Sequence, residues 1–497
     1  MTAFPLRSHR PRPLGILATA LLLIAGSVLA GTSGLGGRTT SPGPQGDAAS
    51  LPNPAAGEAQ PAAVPPGPQP AAVPIPGAGT ASLPTGSLAQ LDHNIAAWTR
   101  NLAANPLDFI SATNLASLYH ARARITADLA DHERALEAAR TAISIAPTQA
   151  AARLLEASIL FSLHDFRGAF AAADALYRED PAQLGALATR ADAALELGDL
   201  DAASADLTAL AAATSGPAVD VRLARLAAVG GDLGGALRLA GKARDAAVVD
   251  GGDAGFYEYA FAEYARLAGD GTIARTAYEA ALAARVSDLG ALLGLARVQA
   301  FEGDIDAAIT TLDSATAIAP TPEAEALLGD LLAARAAVTT PSAAARDADR
   351  VAAETAFGTV RLTRTLSALA GSVYDRQLIL FDLDHGAASR TVLEAARAAL
   401  LARPDAAGHD TLAWALHRLG LEDEAWTESL AARATGAADA RTTFHAGAIA
   451  AARGDREAAR RLLARALALG PALDPVERAE AETLLARAGV VMSPHPG

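Results

Sequence analysis

LGALLGLARVQAFEGDIDAAITTLDSATAIAP, residues 289–320, decides how this chain folds. It reads as two short amphipathic helices joined by a Glu-Gly-Asp turn. The first, from about Leu289 to Phe301, turns Leu292, Leu293, Leu295, Ala296 and Val298 to an apolar side. Gly303 stops it, because glycine enters the left-handed conformation that ends helices without a steric penalty. Asp304 follows as an N-cap whose carboxylate accepts a free backbone N–H of the next helix. That helix carries Ile305, Ala308, Ile309, Leu312 and Ala315 at helical spacing. Pro320 closes the unit, since its ring cannot continue the hydrogen-bond ladder. Two helices this short cannot bury their apolar faces alone and need copies of the unit on either side.

The copies are present. Gly-Asp recurs at Gly198-Asp199, Gly231-Asp232, Gly269-Asp270, Gly303-Asp304 and Gly454-Asp455, with steps of 33 and 34 among them, and His164-Asp165 lies 34 before Gly198-Asp199. Small residues keep the same phase. Ala296 and Ala308 are 12 apart, and so are Ala157/Ala169, Ala191/Ala203, Ala224/Ala236, Ala262/Ala274, Ala413/Ala425 and Gly447/Ala459. Helices that cross closely need small residues at the crossing point. Pro147, Pro181, Pro320, Pro404 and Pro471 fall near the unit ends.

The joint phase of small residues, Gly-Asp and Pro at period 34 resembles the tetratricopeptide repeat family over roughly Leu107–Pro471. In the 289–320 unit the matching positions are Ala296, Ala308, Ala315, Gly303-Asp304 and Pro320. Two departures are visible: Leu and Ala replace most of the large aromatics of the first helix, and residues 337–403 lose the phase. The resemblance implies an all-α, right-handed α-solenoid of about ten helix pairs, with packing helices at its N- and C-terminal ends. It also implies a non-catalytic scaffold binding a protein or peptide in a concave groove. In the family that groove is lined from the first helix of each pair. Carrying those offsets over gives Phe161, Asp192, Arg225, Phe256, Tyr259, Glu263, Arg266, Arg297, Trp414, His417 and Phe444. Phe256, Tyr259, Glu263 and Arg266 share one helix face, and aromatic residues with arginine are the composition of binding hot spots. The two aromatics either line the groove or fill core between units. The lysine-rich carboxylate clamp of chaperone-binding members cannot be built here, because Lys242 is the single lysine. Exported members of the family often serve in envelope or exopolysaccharide assembly, which the resemblance offers as a second role.

Composition limits the other classes. The net charge of −14 provides no basic excess to displace counterions from nucleic acid. With no cysteine, disulfides, thiolate metal sites and cysteine nucleophiles are excluded. No two histidines take the His-x-x-x-His spacing of a helix-borne metal site, and no glycine-rich phosphate loop occurs. We therefore expect no metal and no cofactor. QLILFDLDH, Gln377–His385, resembles the first motif of haloacid-dehalogenase-type phosphatases, which would make Asp382 the nucleophile and Asp384 the acid/base, with Mg²⁺. That family supplies a downstream lysine, whereas none follows Lys242, so a repeat helix ending in a turn is the alternative.

The chain begins with Arg7, Arg10 and Arg12 and then the uncharged run Leu14–Ala30. At 17 residues a helix there spans about 25 Å, long for a signal-peptide core and minimal for an anchor. Residues 1–30 read as a cleaved export signal, as a single-pass anchor, or as an artefact of the start site. Either of the first two puts the repeats outside the cytoplasmic membrane. Residues 31–86, rich in Pro, Ala and Gly and nearly uncharged, read as a disordered spacer. The solenoid is expected over 87–490, with a disordered tail over 491–497.

Overall fold

A computed structural model describes residues 88–126, 128–250, 253–338, 342–369, 376–437 and 439–489. The 1–30 segment, the 31–86 spacer and the 491–497 tail lie outside the described residues. Among the described residues there are 22 α-helices and no strand, so the all-α solenoid expected from the repeats is the fold observed.

Helix α1, Leu88–Ala104, packs on the first pair through Leu91, Ile95 and Trp98. Ten pairs follow: α2 Phe109–Thr126 with α3 Leu129–Ile145; α4 Ala150–Ser162 with α5 Phe166–Glu179; α6 Leu184–Glu196 with α7 Leu200–Ala213; α8 Pro217–Val229 with α9 Leu233–Asp250; α10 Ala254–Leu267 with α11 Gly271–Ala284; α12 Leu289–Phe301 with α13 Ile305–Ile318; α14 Pro322–Val338 with α15 Ala343–Leu369; α16 Arg376–Asp384 with α17 Arg390–Ala402; α18 Ala406–Arg418 with α19 Glu422–Ala432; and α20 Ala440–Ala452 with α21 Arg456–Ala468. Helix α22, Pro475–Gly489, ends the array. In the first pair, the residues that lengthen the repeat extend α2 by a turn rather than forming a long loop.

The turns show why the sequence folds this way. Gly198, Gly231, Gly269, Gly303 and Gly454 all have φ between +76° and +90°, where a Cβ would clash with its own backbone. His164 takes the same place at φ +61°, the one non-glycine residue with positive φ among the described residues. The aspartate that follows caps the next helix: Asp165 accepts from Gly168, Asp199 from Ala202, Asp270 from Ile273, Asp304 from Ala307 and Asp455 from Ala458. At the crossings, Ala157, Ala169, Ala191, Ala203, Ala224, Ala236, Ala262, Ala274, Ala296, Ala308, Ala413, Ala425 and Ala459 are each 0% exposed. At Gly447 even a methyl group is too large, since its Cβ would lie 2.8 Å from Leu463.

First helices of successive pairs touch one another, as α4 touches α6 and α10 touches α12, while the second helices make no comparable contact. The solenoid therefore curves with the first helices inside. The curvature brings the chain back on itself. A Cβ at Gly198 would meet the backbone of Pro404 and Asp405, one at Gly231 would lie 2.5 Å from the Gly436 carbonyl oxygen, and one at Gly269 would touch Leu469. The turns of pairs three to five thus rest on the connections of pairs eight to ten. The winding closes after about six pairs, and the second superhelical turn sits on the first.

This stacking separates two kinds of turn glycine. Gly303 needs only its left-handed φ, with nothing within 4 Å of a Cβ, so Gly303→Ala should cost about 1–2 kcal/mol. Gly231→Ala should lose a further 1–3 kcal/mol, about the cost of overpacking, because the next turn occupies the space. Equal losses in chemical denaturation would show that the two turns are not in contact.

Candidate functional site

The inner wall is formed by the first helices, and its charged side chains are engaged. On α10, the Glu263 carboxylate accepts from Arg266 Nη2 at 2.9 Å and from the Tyr278 hydroxyl. Burial pushes Glu263 up, yet Arg266, the Tyr278 hydroxyl and Arg297 outweigh it and hold the carboxyl below its usual range. Arg297 on α12 donates from Nε to Asp474 at 2.8 Å and from Nη2 to Glu323 at 2.6 Å. Tyr259 is half-buried, with its ring against Gly290. Burial, then the Glu263 charge, pushes its hydroxyl well above the ordinary phenol range.

The structure brings Tyr259, Glu263, Arg266 and Arg297 to one part of the inner wall. It places the other expected residues elsewhere. Phe256 is buried among Val221, Ala243, Ala247, Tyr257 and Ala260. Trp414 is also buried; its indole N–H donates to Asp384 at 2.8 Å and its ring stacks on His445 and His417. His417 pairs with Glu422 at 2.9 Å. Phe161 and Phe444 are core residues, and Asp192 is wholly buried against Arg222 at 3.0 Å.

What the sequence did not reveal is the seam between the turns. Glu196 on α6 lies between Arg225 of the neighbouring pair and Arg403, 207 positions along the chain. Arg403 also lies over the Phe166 ring, and Arg167 donates to the Leu401 carbonyl. Further along, Arg266 Nη1 donates to the Pro471 carbonyl at 3.3 Å, and Arg478 lies over Phe301. Asp474 joins Arg297 to Arg441, whose Nη2 donates at 3.1 Å. Beside this junction remains a cleft of about 60 Å³ lined by Arg297, Glu323, Asp330, Asp384, His385 and Arg441 among others. It has room for water but not for a peptide.

Asp382, on the phosphatase-like stretch, lies on α16 and not at a strand end. Both its oxygens accept from Arg364 at 2.6 Å, and Asp384 is held by Trp414. Among the described residues no group of three or more His, Asp or Glu side chains is arranged to hold a metal ion.

The seam carries a pH signature. Burial raises Glu196, but Arg225 and Arg403 overcome it and bring it down to about 2. His164, at the strained turn, is lowered to about 4 by burial and then by the Arg403 charge. In both cases the unfolded chain binds protons at a higher pH than the folded one, so stability is lost as pH is lowered. His164 contributes between pH 6.5 and 4, and Glu196 between 4.5 and 2. The buried His120 and His132 are lowered in the same window, so thermal unfolding followed across this range should show His164→Asn, which tolerates positive φ, reducing the slope of the upper window while leaving the lower one. A slope between pH 6.5 and 4 that is unchanged by the substitution would contradict the assignment.

Comparison with known proteins agrees with the repeat reading. Family models described as tetratricopeptide repeat match residues 116–149 and 265–331. No curated protein matches the chain. Among solved structures, a thermophilic tetratricopeptide repeat protein of Thermus thermophilus is 21% identical, covering 36% of this chain and 91% of that one at a TM-score of 0.31. A tetratricopeptide repeat protein of Parabacteroides merdae is 16% identical, covering 46% and 88% at 0.38. Yeast Tom70 is 14% identical, covering 80% and 92% at 0.31.

Proposed function

This chain is a tetratricopeptide repeat protein, and on that premise we propose that it holds a protein or peptide partner on the inner wall of its superhelix around Tyr259, Glu263, Arg266 and Arg297. The observation that carries this reading is the character of that wall. It sets charged side chains inward on rigid helices, where a fixed array of donors and acceptors recognises an extended chain at little ordering cost. Its role is passive: it presents a prearranged surface.

We further propose that this takes place outside the cytoplasmic membrane, with residues 14–30 as export signal or anchor and 31–86 as spacer. The three arginines ahead of the 14–30 run support that orientation. Among the described residues no helix is long and apolar enough to cross a membrane.

Affinity capture with the full chain, from envelope and cytosolic fractions separately, tests both parts. A partner from the envelope fraction should be retained by the parent chain and reduced at least about ten-fold, the effect of one hot-spot contact, in Tyr259→Ala/Arg266→Ala with unchanged helicity. A partner that the double variant holds equally well would move the binding site off the inner wall. A partner found solely in cytosol would contradict the location.

A further inference from the structure

The second superhelical turn rests on the first without a shared apolar cluster. The cluster that unites the last pairs runs from Ile379 to Ala481 and takes in no residue of the first turn. The clusters beneath it, around Leu293–Ala353 and Ala262–Val298, take in none of the second. What crosses the seam is mainly polar or backbone: Glu196 with Arg403, the Pro471 carbonyl with Arg266, Asp474 with Arg297, and glycine turns against carbonyls, with single rings, Phe166 and Phe301, lying under Arg403 and Arg478. Each turn keeps its own core when the seam parts. Parting it returns these buried charges to water, and the hydration they regain offsets part of the ion pairing they lose.

The stretch Leu469–Asp474 lies on the inner wall much as a ligand would. Its Pro471 carbonyl accepts from Arg266, and three residues later its Asp474 carboxylate accepts from Arg297 Nε with one oxygen and from Arg441 with the other. The fit leaves a donor over: Arg266 Nε is buried with no acceptor. A buried guanidinium N–H without a partner is costly, and a second carboxylate would satisfy it. We propose that Leu469–Asp474 is a releasable cover that holds, on Arg266 and Arg297, the place of an acidic segment of the protein partner, and that binding of this segment parts the two turns. This rests on the inner-wall reading above and adds the partner's chemistry and a gate.

The chain has no cysteine, so Thr272→Cys and Ala468→Cys, exposed positions on the two sides of the seam, accept spin labels cleanly in the full-length protein. The parent should show one short label distance, and Asp474→Asn should shift it to longer values. Should Asp474→Asn lose helicity, Glu196→Gln loosens the other end of the seam and should lengthen the distance likewise. Hexaglutamate peptide should drive the same lengthening, with hexalysine inert. It should bind Asp474→Asn about ten-fold more tightly, because a larger fraction of that variant is open. Closing the two cysteines with a short bis-maleimide should weaken hexaglutamate binding by a similar factor. An unchanged short distance in both seam variants and with saturating peptide, or equal binding to the closed and unclosed forms, overturns the cover. Hexaglutamate binding to none of the forms overturns the acidic partner. The inner-wall reading itself is judged separately, by the capture experiment.

Discussion

Close crossing of the two helices in each pair is the constraint on which the rest depends. It requires a side chain no larger than a methyl group on both helices at the crossing, and 13 alanines with 0% exposure, together with Gly447, meet that demand. Pairs that cross this tightly stack with a nearly constant offset. A constant offset repeated along a chain generates a superhelix whose curvature is a property of the pair, not of any one residue. The first helices fall inside because they touch their successors while the second helices splay apart.

A superhelix that closes after about six pairs brings together parts of the chain that local sequence never relates. The turn glycines acquire a second use there. Gly198 and Gly231 take positive φ, as every such turn must, but they also admit the backbone of the next turn, whereas Gly303, Gly420 and Gly454 face open space. The charged residues divide in the same way. Arg335 with Asp349 serves one pair, whereas Glu196 with Arg403 and Arg297 with Asp474 join two turns. The inner wall is therefore neither an open groove nor a sealed core. It is a charged surface in contact with a second layer that shares no apolar cluster with it.

The repeat was legible because its signals are local. Gly-Asp marks a turn and a cap within two residues, and the small pair recurs 12 apart. Helix limits such as Leu289–Phe301 and Ile305–Ile318 follow directly from these. The site was legible in part. The offsets selected Tyr259, Glu263, Arg266 and Arg297, which do meet on the inner wall, but they also selected Phe256 and Trp414. Those two are core residues because alanine-rich neighbours leave room that a large ring must fill. The partners of Arg266 and Arg297 lie 205 and 177 positions away. That distance is set by the summed twist of six pairs, and no motif around Pro471 or Asp474 signals it.

The central claim is that the two turns touch, and a double-mutant cycle on Glu196→Gln and Arg403→Gln tests it most directly. The two residues share no local structure, so any coupling between them passes through the seam. Contact predicts an interaction energy of roughly 0.5–3 kcal/mol in denaturant unfolding, the range found for residues in one ion-pair network. Additive effects of the two substitutions, within a few tenths of a kcal/mol, would mean the turns stand apart and would contradict the account.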